Sequence, residues 1–481
     1  MALILDAQKI LIGEKLEEDY VVVVDEEEGK IVDIIERFES ELTHIPVKSF
    51  PTGSILVPGF NDTHTHLAQY GANLSRPNVY RFTSRAELLD FIRDYIRKEE
   101  KDVYIFLGYD ENRWKGEKTL TRRELDAVSG DKPIIVRRVC GHRAVLNSKA
   151  IEIVGKVEGL DVETGIAVEE LPLKLSVYFP PSKGEIEEGI LKAQEEALSQ
   201  GITSITDITR PMHFRVYQKL HREGKLRLRV NIILYEEDLE AVSLAGFEYF
   251  FGNEKLRFSG IKIFLDGSVG AGTAAFFPDR GLLTKTDDEL KGLLKMATDR
   301  NLQIAAHAIG ERAINQFLNV FESLFSENPL RHRIEHYEFP LPEDIDRTAR
   351  LGVPVSVQPN FVYLLCHEGQ MYTRKLPSRI SSRCNPYRRM EEAGIHYAFG
   401  SDNMPMDVKM MIKGAVEHPI EPQRLSMEEA LYRMSTAGAF FSFEEDIKGK
   451  IQPGHRADLV VIDEESLEPL MVMVDGQILK G

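Results

Sequence analysis

Cysteine is scarce in this chain, with three in 481 residues: Cys140, Cys366 and Cys384, far apart and with no Cys-x-x-Cys pair. A disulfide framework is therefore not expected, and a reducing, cytoplasmic setting fits. Basic charge is also short. Lys and Arg number 60 against 77 Asp and Glu, a formal net charge of −17. That sign opposes binding to nucleic acid or to anionic membranes. No apolar run reaches the about 18 residues of a membrane-spanning helix. The opening Met1-Ala-Leu-Ile-Leu-Asp6 lacks the basic stretch and long apolar core of a secretory signal. Short internal repeats and low-complexity tracts are missing too. One glycine-rich stretch, Gly267-Ser-Val-Gly-Ala-Gly272, follows a strand pattern but has neither the Gly-x-Gly-x-x-Gly order nor a phosphate-binding lysine. It reads as an active-site loop.

What is present is ordinary globular material, 43% hydrophobic and 28% charged, in an informative order. Both chain ends read as strands. Tyr20-Val-Val-Val-Val24 and Lys30-Ile-Val-Asp-Ile-Ile35 flank an acidic turn, and Ala457–Ile462 precedes Leu470–Val474 with an Asp-Gly turn. The middle alternates strands with helices, which implies a parallel sheet or barrel. Eight strands are expected: 54–60, 202–207, 228–235, 260–265, 302–307, 331–336, 353–358 and 396–401. Eight βα units fit a (β/α)8 TIM barrel. About a hundred extra residues separate the first two strands. The expected α/β organisation is a small β-sandwich domain from 1–55 plus 445–481, a barrel from 56–76 plus 186–444, and an inserted capping domain over 77–185.

Chemistry concentrates at the strand ends. His64-Thr-His66 ends the first strand, and in extended chain positions i and i+2 face one side. His307, His336 and Asp402 end three further strands. The C-terminal ends of barrel strands converge, so these residues become neighbours. Lys262 lies inside the apolar strand Gly260-Ile-Lys-Ile-Phe-Leu265, where a lysine is costly unless paired or neutralised. Either it pairs with an acid such as Asp266 or Asp402, or it reacts with CO2 to give a carbamate that bridges two cations. Asp266 and Ser268 follow it on the same face, and Gln358 ends the seventh strand; all three are candidate substrate contacts. Imidazole and carboxylate ligands suit zinc, with manganese, iron or nickel as alternatives.

Six stretches resemble the amidohydrolase superfamily, most closely its YtcJ-like branch, to which N-substituted formamide deformylase belongs. They are Leu56–His66, Lys262–Ser268, His307–Ala313, Arg333–His336, Gly400–Asp402 and Gly449–Asp458. The resemblance implies a binuclear centre of two divalent ions. His64 and His66 would bind the buried ion, Lys262 would be the carboxylated bridge, and His307 and His336 would bind the second ion. Asp402 would be both ligand and proton shuttle for a metal-activated hydroxide. In the insertion, His142 resembles an oxyanion-stabilising histidine and Trp114 a pocket aromatic. The implied activity is cleavage of a non-peptide C–N bond in a small molecule: an N-formyl, N-acyl or cyclic amide. Alternatives are ester, lactone or phosphoester hydrolysis, or a mononuclear deaminase. Glu311 lies four rather than three positions after His307, which disfavours the deaminase pattern. A non-enzymatic regulatory role would predict lost ligands, and all six are present. Superfamily relatives are often dimers or larger, which leaves the oligomeric state of this chain open, a homo-oligomer included.

Overall fold

The structure is a computed structural model and describes residues 1–40, 44–115, 120–139, 141, 143–168 and 171–481. The chain divides into two compact units, one of residues 1–68 with 193–481 and one of residues 69–192.

The first unit contains eight parallel strands in sequential order: β1 (Phe60–Thr65), β2 (Ile202–Thr209), β3 (Arg229–Tyr235), β4 (Leu256–Phe264), β5 (Gln303–Ala308), β6 (Arg333–His336), β7 (Val355–Val357) and β8 (Tyr397–Phe399). Each ladder between neighbours is parallel. Between the end strands, the Thr63 hydroxyl donates to Phe399 O at 2.9 Å and Asp402 N donates to His64 O at 2.8 Å. The barrel is thus nearly closed. Gly400 explains how close the approach is, since a Cβ there would lie 2.6 Å from the His64 Cβ. Ile208, Ile233 and Ala305, from β2, β3 and β5, pack together inside. That is the layered interior a filled barrel requires. Helices follow the strands, and local signals start them. Thr286 and Glu289 form a reciprocal capping box before the helix Asp287–Thr298, as Ser426 and Glu429 do before Met427–Met434.

The chain ends build two further sheets. One holds Ala2–Asp6, Tyr20–Asp25, Lys30–Glu36 and Val47–Ser49; the other holds Lys9–Ile12, Lys15–Glu17, Ser54–Pro58, Leu459–Asp463, Pro469–Val474 and Gln477–Lys480. Leu5, Val22 and Val24 of the first sheet share one apolar cluster with Ile10, Leu56 and Met473 of the second. The expected first barrel strand, 54–60, is corrected here. Its apolar run is broken at Pro58-Gly59, with Ser54–Pro58 pairing antiparallel to Leu459–Asp463 and the barrel strand beginning only at Phe60. The Pro58-Gly59 pair is the sequence sign of that change of sheet.

The second unit has its own five-stranded sheet, ordered Leu160–Asp161, Ile166–Val168, Arg143–Leu146, Ile134–Arg138 and Tyr104–Tyr109. Apolar clusters around Phe106 and Leu146 cover its two faces. No helix among the described residues is long and apolar enough to cross a membrane. Cys366 and Cys384 are joined as a disulfide, contrary to expectation. Eighteen residues separate them in sequence, and only the fold brings them together.

Candidate metal centre

The C-terminal ends of β1 and β6, with the residues just after β8, bring side chains together. His64 and His66 both turn their Nε2 atoms toward Asp402, whose Oδ1 lies 3.6 Å from the first and 3.2 Å from the second. The other ring nitrogens are taken. Nδ1 of His64 meets Glu335 Oε2 at 2.5 Å, and Nδ1 of His66 donates to Ile208 O at 2.9 Å. Each partner fixes a tautomer that leaves Nε2 free for a cation. The His336 ring is centred 4.9 Å from that of His64 and 4.4 Å from that of His307. One ligating atom each from His64, His336 and Asp402 falls within 4.8 Å of the others. Lys262 on β4 completes the group. Its Nζ is buried and unpaired, and its charge is felt by His64, His307 and His336.

Burial sets the electrostatics. It lowers His64, takes His307 down to about 3 and holds His336 well below the usual imidazole range, with Lys262 acting in the same direction on all three. These rings are therefore neutral, the form that binds metal. Burial also lowers Lys262 to about 8, against the pull of Glu335 and Asp402. Burial raises Asp402, but its hydrogen bond to His66 and the imidazoles outweigh that and hold it below its usual value. Backbone strain gathers at the same place. His336 (φ 75°) and Asp402 (φ 54°) are non-glycine residues in the left-handed region, which costs about 1–3 kcal/mol each and is characteristic of functional sites.

The residues fit a divalent cation. The donor set is imidazole and carboxylate, and Lys262 Nζ and His336 Nδ1 are buried polar atoms without hydrogen-bond partners.

Two residues that the sequence analysis passed over hold the site in shape. Glu335, between Arg333 and His336, accepts from Arg333 Nε at 2.6 Å as well as contacting His64. Asn403 accepts the His66 amide at 2.5 Å. Arg333-Ile-Glu335 was the available signal: two opposite charges at i and i+2 on an otherwise apolar strand.

The remaining candidates differ in their surroundings. Asp266 is buried, with Oδ2 accepting from Ala275 N and Gly310 N and Oδ1 from Ile309 N, at 2.8–3.0 Å. It pins the loops after β4 and β5 and lies 3.5 Å from His307 Nε2. Ser268 Oγ accepts from Ala271 N within its own loop. Gln358 is buried ahead of the helix Pro359–Leu365, its Oε1 unpaired. Trp114 packs in the core of the second unit, 5.7 Å from Tyr109 between ring centres. His142 lies outside the described residues.

Residues 52–479 match the amidohydrolase family. The chain belongs to that family. Among curated relatives, the putative amidohydrolase YtcJ of Bacillus subtilis (strain 168) is 25% identical over 89% of this chain and 89% of its own length. The N-substituted formamide deformylase of Arthrobacter pascens is 21% identical over 87% and 85%. Among solved structures, an uncharacterized metal-dependent hydrolase from Pyrococcus furiosus superposes with a TM-score of 0.83 at 25% identity, covering 97% of this chain and 100% of that one. In this amidohydrolase the clustered histidines and Asp402 therefore occupy the mouth of a barrel whose family is one of metal-dependent hydrolases.

Proposed function

We propose that this amidohydrolase cleaves a non-peptide carbon–nitrogen bond, in an N-formyl, N-acyl or cyclic amide, using zinc held by His64, His66, His307, His336 and Asp402, with Lys262 as a carboxylated bridging ligand. The observation that carries the reading is the sharing of Asp402 Oδ1 by the Nε2 atoms of His64 and His66. A divalent ion bound here polarises a carbonyl and lowers the pKa of water toward neutrality. The remaining work falls to the chain. Asp402, kept ionised by the imidazoles, takes a proton from the attacking water on a carboxylate oxygen. It then gives that proton to the departing nitrogen, which would otherwise leave as a poor anion. Glu335 and the Ile208 carbonyl keep the two β1 imidazoles in the tautomer that leaves Nε2 available. Lys262 is buried without a partner, as carboxylation requires: its neutral amine adds to CO2, forming an N–C bond and releasing a proton. A formamide is the first substrate to test, because a relative of 21% identity carries the name N-substituted formamide deformylase.

The test is metal content with turnover. Protein grown with bicarbonate and supplied with zinc is expected to hold about two ions per chain, fewer in Lys262→Ala. It is expected to hydrolyse members of a formamide, acetamide and cyclic amide panel. One ion, unaffected by the substitution, would remove the bridging role. Turnover confined to esters or lactones would replace the amide reading.

A further inference from the structure

Glu338 lies two residues beyond His336 and is fully buried, and neither of its carboxylate oxygens has a hydrogen-bond partner. It differs in this from every other buried carboxylate among the described residues. Each of those accepts from a backbone amide or a cationic side chain. Glu444 has Lys448 at 2.9 Å, for example, and Asp458 has Arg229. Among the described residues no cationic side chain bears on Glu338. The charges that do are Asp266 and Asp402, both acidic. The Tyr372 hydroxyl approaches it without completing hydrogen-bond geometry. Asn385, whose amide donates to Glu338 O at 2.7 Å, has its own side-chain oxygen unpaired.

The position is held firmly. Tyr337 N donates to Ala308 O and Phe339 N to Ile309 O, so the segment stays bound to the chain leaving β5. The Tyr337 hydroxyl meets Thr348 at 2.8 Å, and the Phe339 ring packs against Phe276 and Tyr372. The residues on either side are thus anchored away from Glu338. A buried acid held in place two residues beyond His336, with other acids and no cationic side chain bearing on it among the described residues, is complementary to a cationic donor.

We propose that Glu338 determines specificity, its carboxylate receiving a protonated primary amine carried by the substrate close to the scissile bond. This rests on the hydrolase reading above and narrows its substrates to amine-bearing amides.

Matched amides test it: N-acetylethylenediamine against its neutral isostere N-propylacetamide, and the corresponding formamides, with zinc-loaded wild type and Glu338→Gln. Binding of propylammonium and of propanol to both proteins is measured by calorimetry. The wild type is expected to favour the amine-bearing member by about tenfold or more in kcat/KM, the scale of a charge-assisted hydrogen bond. Glu338→Gln is expected to bring that ratio close to one, mainly through KM, and to abolish propylammonium binding. Glu338→Met serves if the glutamine variant does not fold. A wild-type ratio near one, or a ratio unaltered by the substitution, overturns the assignment and leaves the hydrolase reading standing. Propylammonium binding that the substitution abolishes, without turnover of any amide, upholds Glu338 and rejects the proposed reaction. Absence of both turnover and amine binding overturns both.

Discussion

Glu335→Gln removes one charge from three side chains that exclude water almost completely: His64, Glu335 and Arg333 are each at most 1% exposed. Burial alone would raise the Glu335 carboxyl, yet Arg333, His64 and Lys262 hold it well below the usual range. It is therefore the anion on which the group depends. A glutamine keeps the shape but weakens contacts of 2.5 Å to His64 and 2.6 Å to Arg333. It also strands the Arg333 guanidinium, left with one bond to Thr63 O at 3.1 Å and an unpaired Nη1. Breaking a buried pair in this way costs about 3–5 kcal/mol. Loss of the carboxylate behind a ligating histidine lowers metal affinity about 10- to 100-fold. The two effects separate in a second variant. Arg333→Met combined with Glu335→Gln removes the stranded charge and should recover most of the stability, while affinity stays low. Urea unfolding reads the first quantity and competition with a chromophoric zinc chelator the second. Wild-type affinity in the single variant, or affinity restored with stability in the double one, would refute the argument that Glu335 acts through His64.

Asp402→Asn should reduce kcat by about 10²–10⁴-fold, the usual contribution of a positioned acid–base group. Activity within tenfold of wild type, with metal content checked in parallel, would remove the proton-shuttle role. Gly400→Ala places a methyl 2.6 Å from the His64 Cβ and should cost about 1–3 kcal/mol as overpacking, with weakened zinc binding; an unchanged unfolding midpoint and affinity would contradict the close approach of Gly400 to His64. Burial lowers His332 to about 4, and its Nδ1 accepts the Ile304 amide at 2.9 Å, which only the unprotonated ring can do. The unfolded chain thus binds more protons between about pH 4 and 6.5. Stability is complete above that window and falls as pH drops through it. A urea series from pH 7 to 4 should be less steep in His332→Gln, and an equal slope would exclude His332 as a source.

The parts of the site visible in the sequence share a physical reason. His64, His66, His336 and Asp402 sit at or beside the C-terminal ends of strands, where an apolar run stops and a polar side chain has no packing role. Parallel-strand topology then gathers those ends regardless of sequence distance, which makes a barrel unusually readable. The helices Asp287–Thr298 and Met427–Met434 begin at capping boxes, Thr286 with Glu289 and Ser426 with Glu429, whose spacing stands in the sequence as a start signal. The pairing of Ser54–Pro58 with Leu459–Asp463 and of Cys366 with Cys384 was not legible there, because both depend on which segments the finished fold brings side by side.

Glu335 and Glu338 show where such reading ends. Each is one acidic residue in Arg333-Ile-Glu-His-Tyr-Glu338, and alternation alone puts Glu338 on the side of His336 and Glu335 opposite it, with no indication of partners. The structure separates them by what surrounds each carboxylate. Glu335 meets a guanidinium and an imidazole, so its charge is already used in holding a ligand. Glu338 has the Tyr372 hydroxyl and two other acids near it and no cationic side chain among the described residues, so the proposed cation comes with the substrate. Two glutamates three residues apart are therefore expected to fail differently: substitution of Glu335 should weaken every substrate alike through the metal, and substitution of Glu338 only those that carry a positive charge. An identical loss across charged and neutral amides in both variants would mean that Glu338, too, serves only to hold the metal ligands.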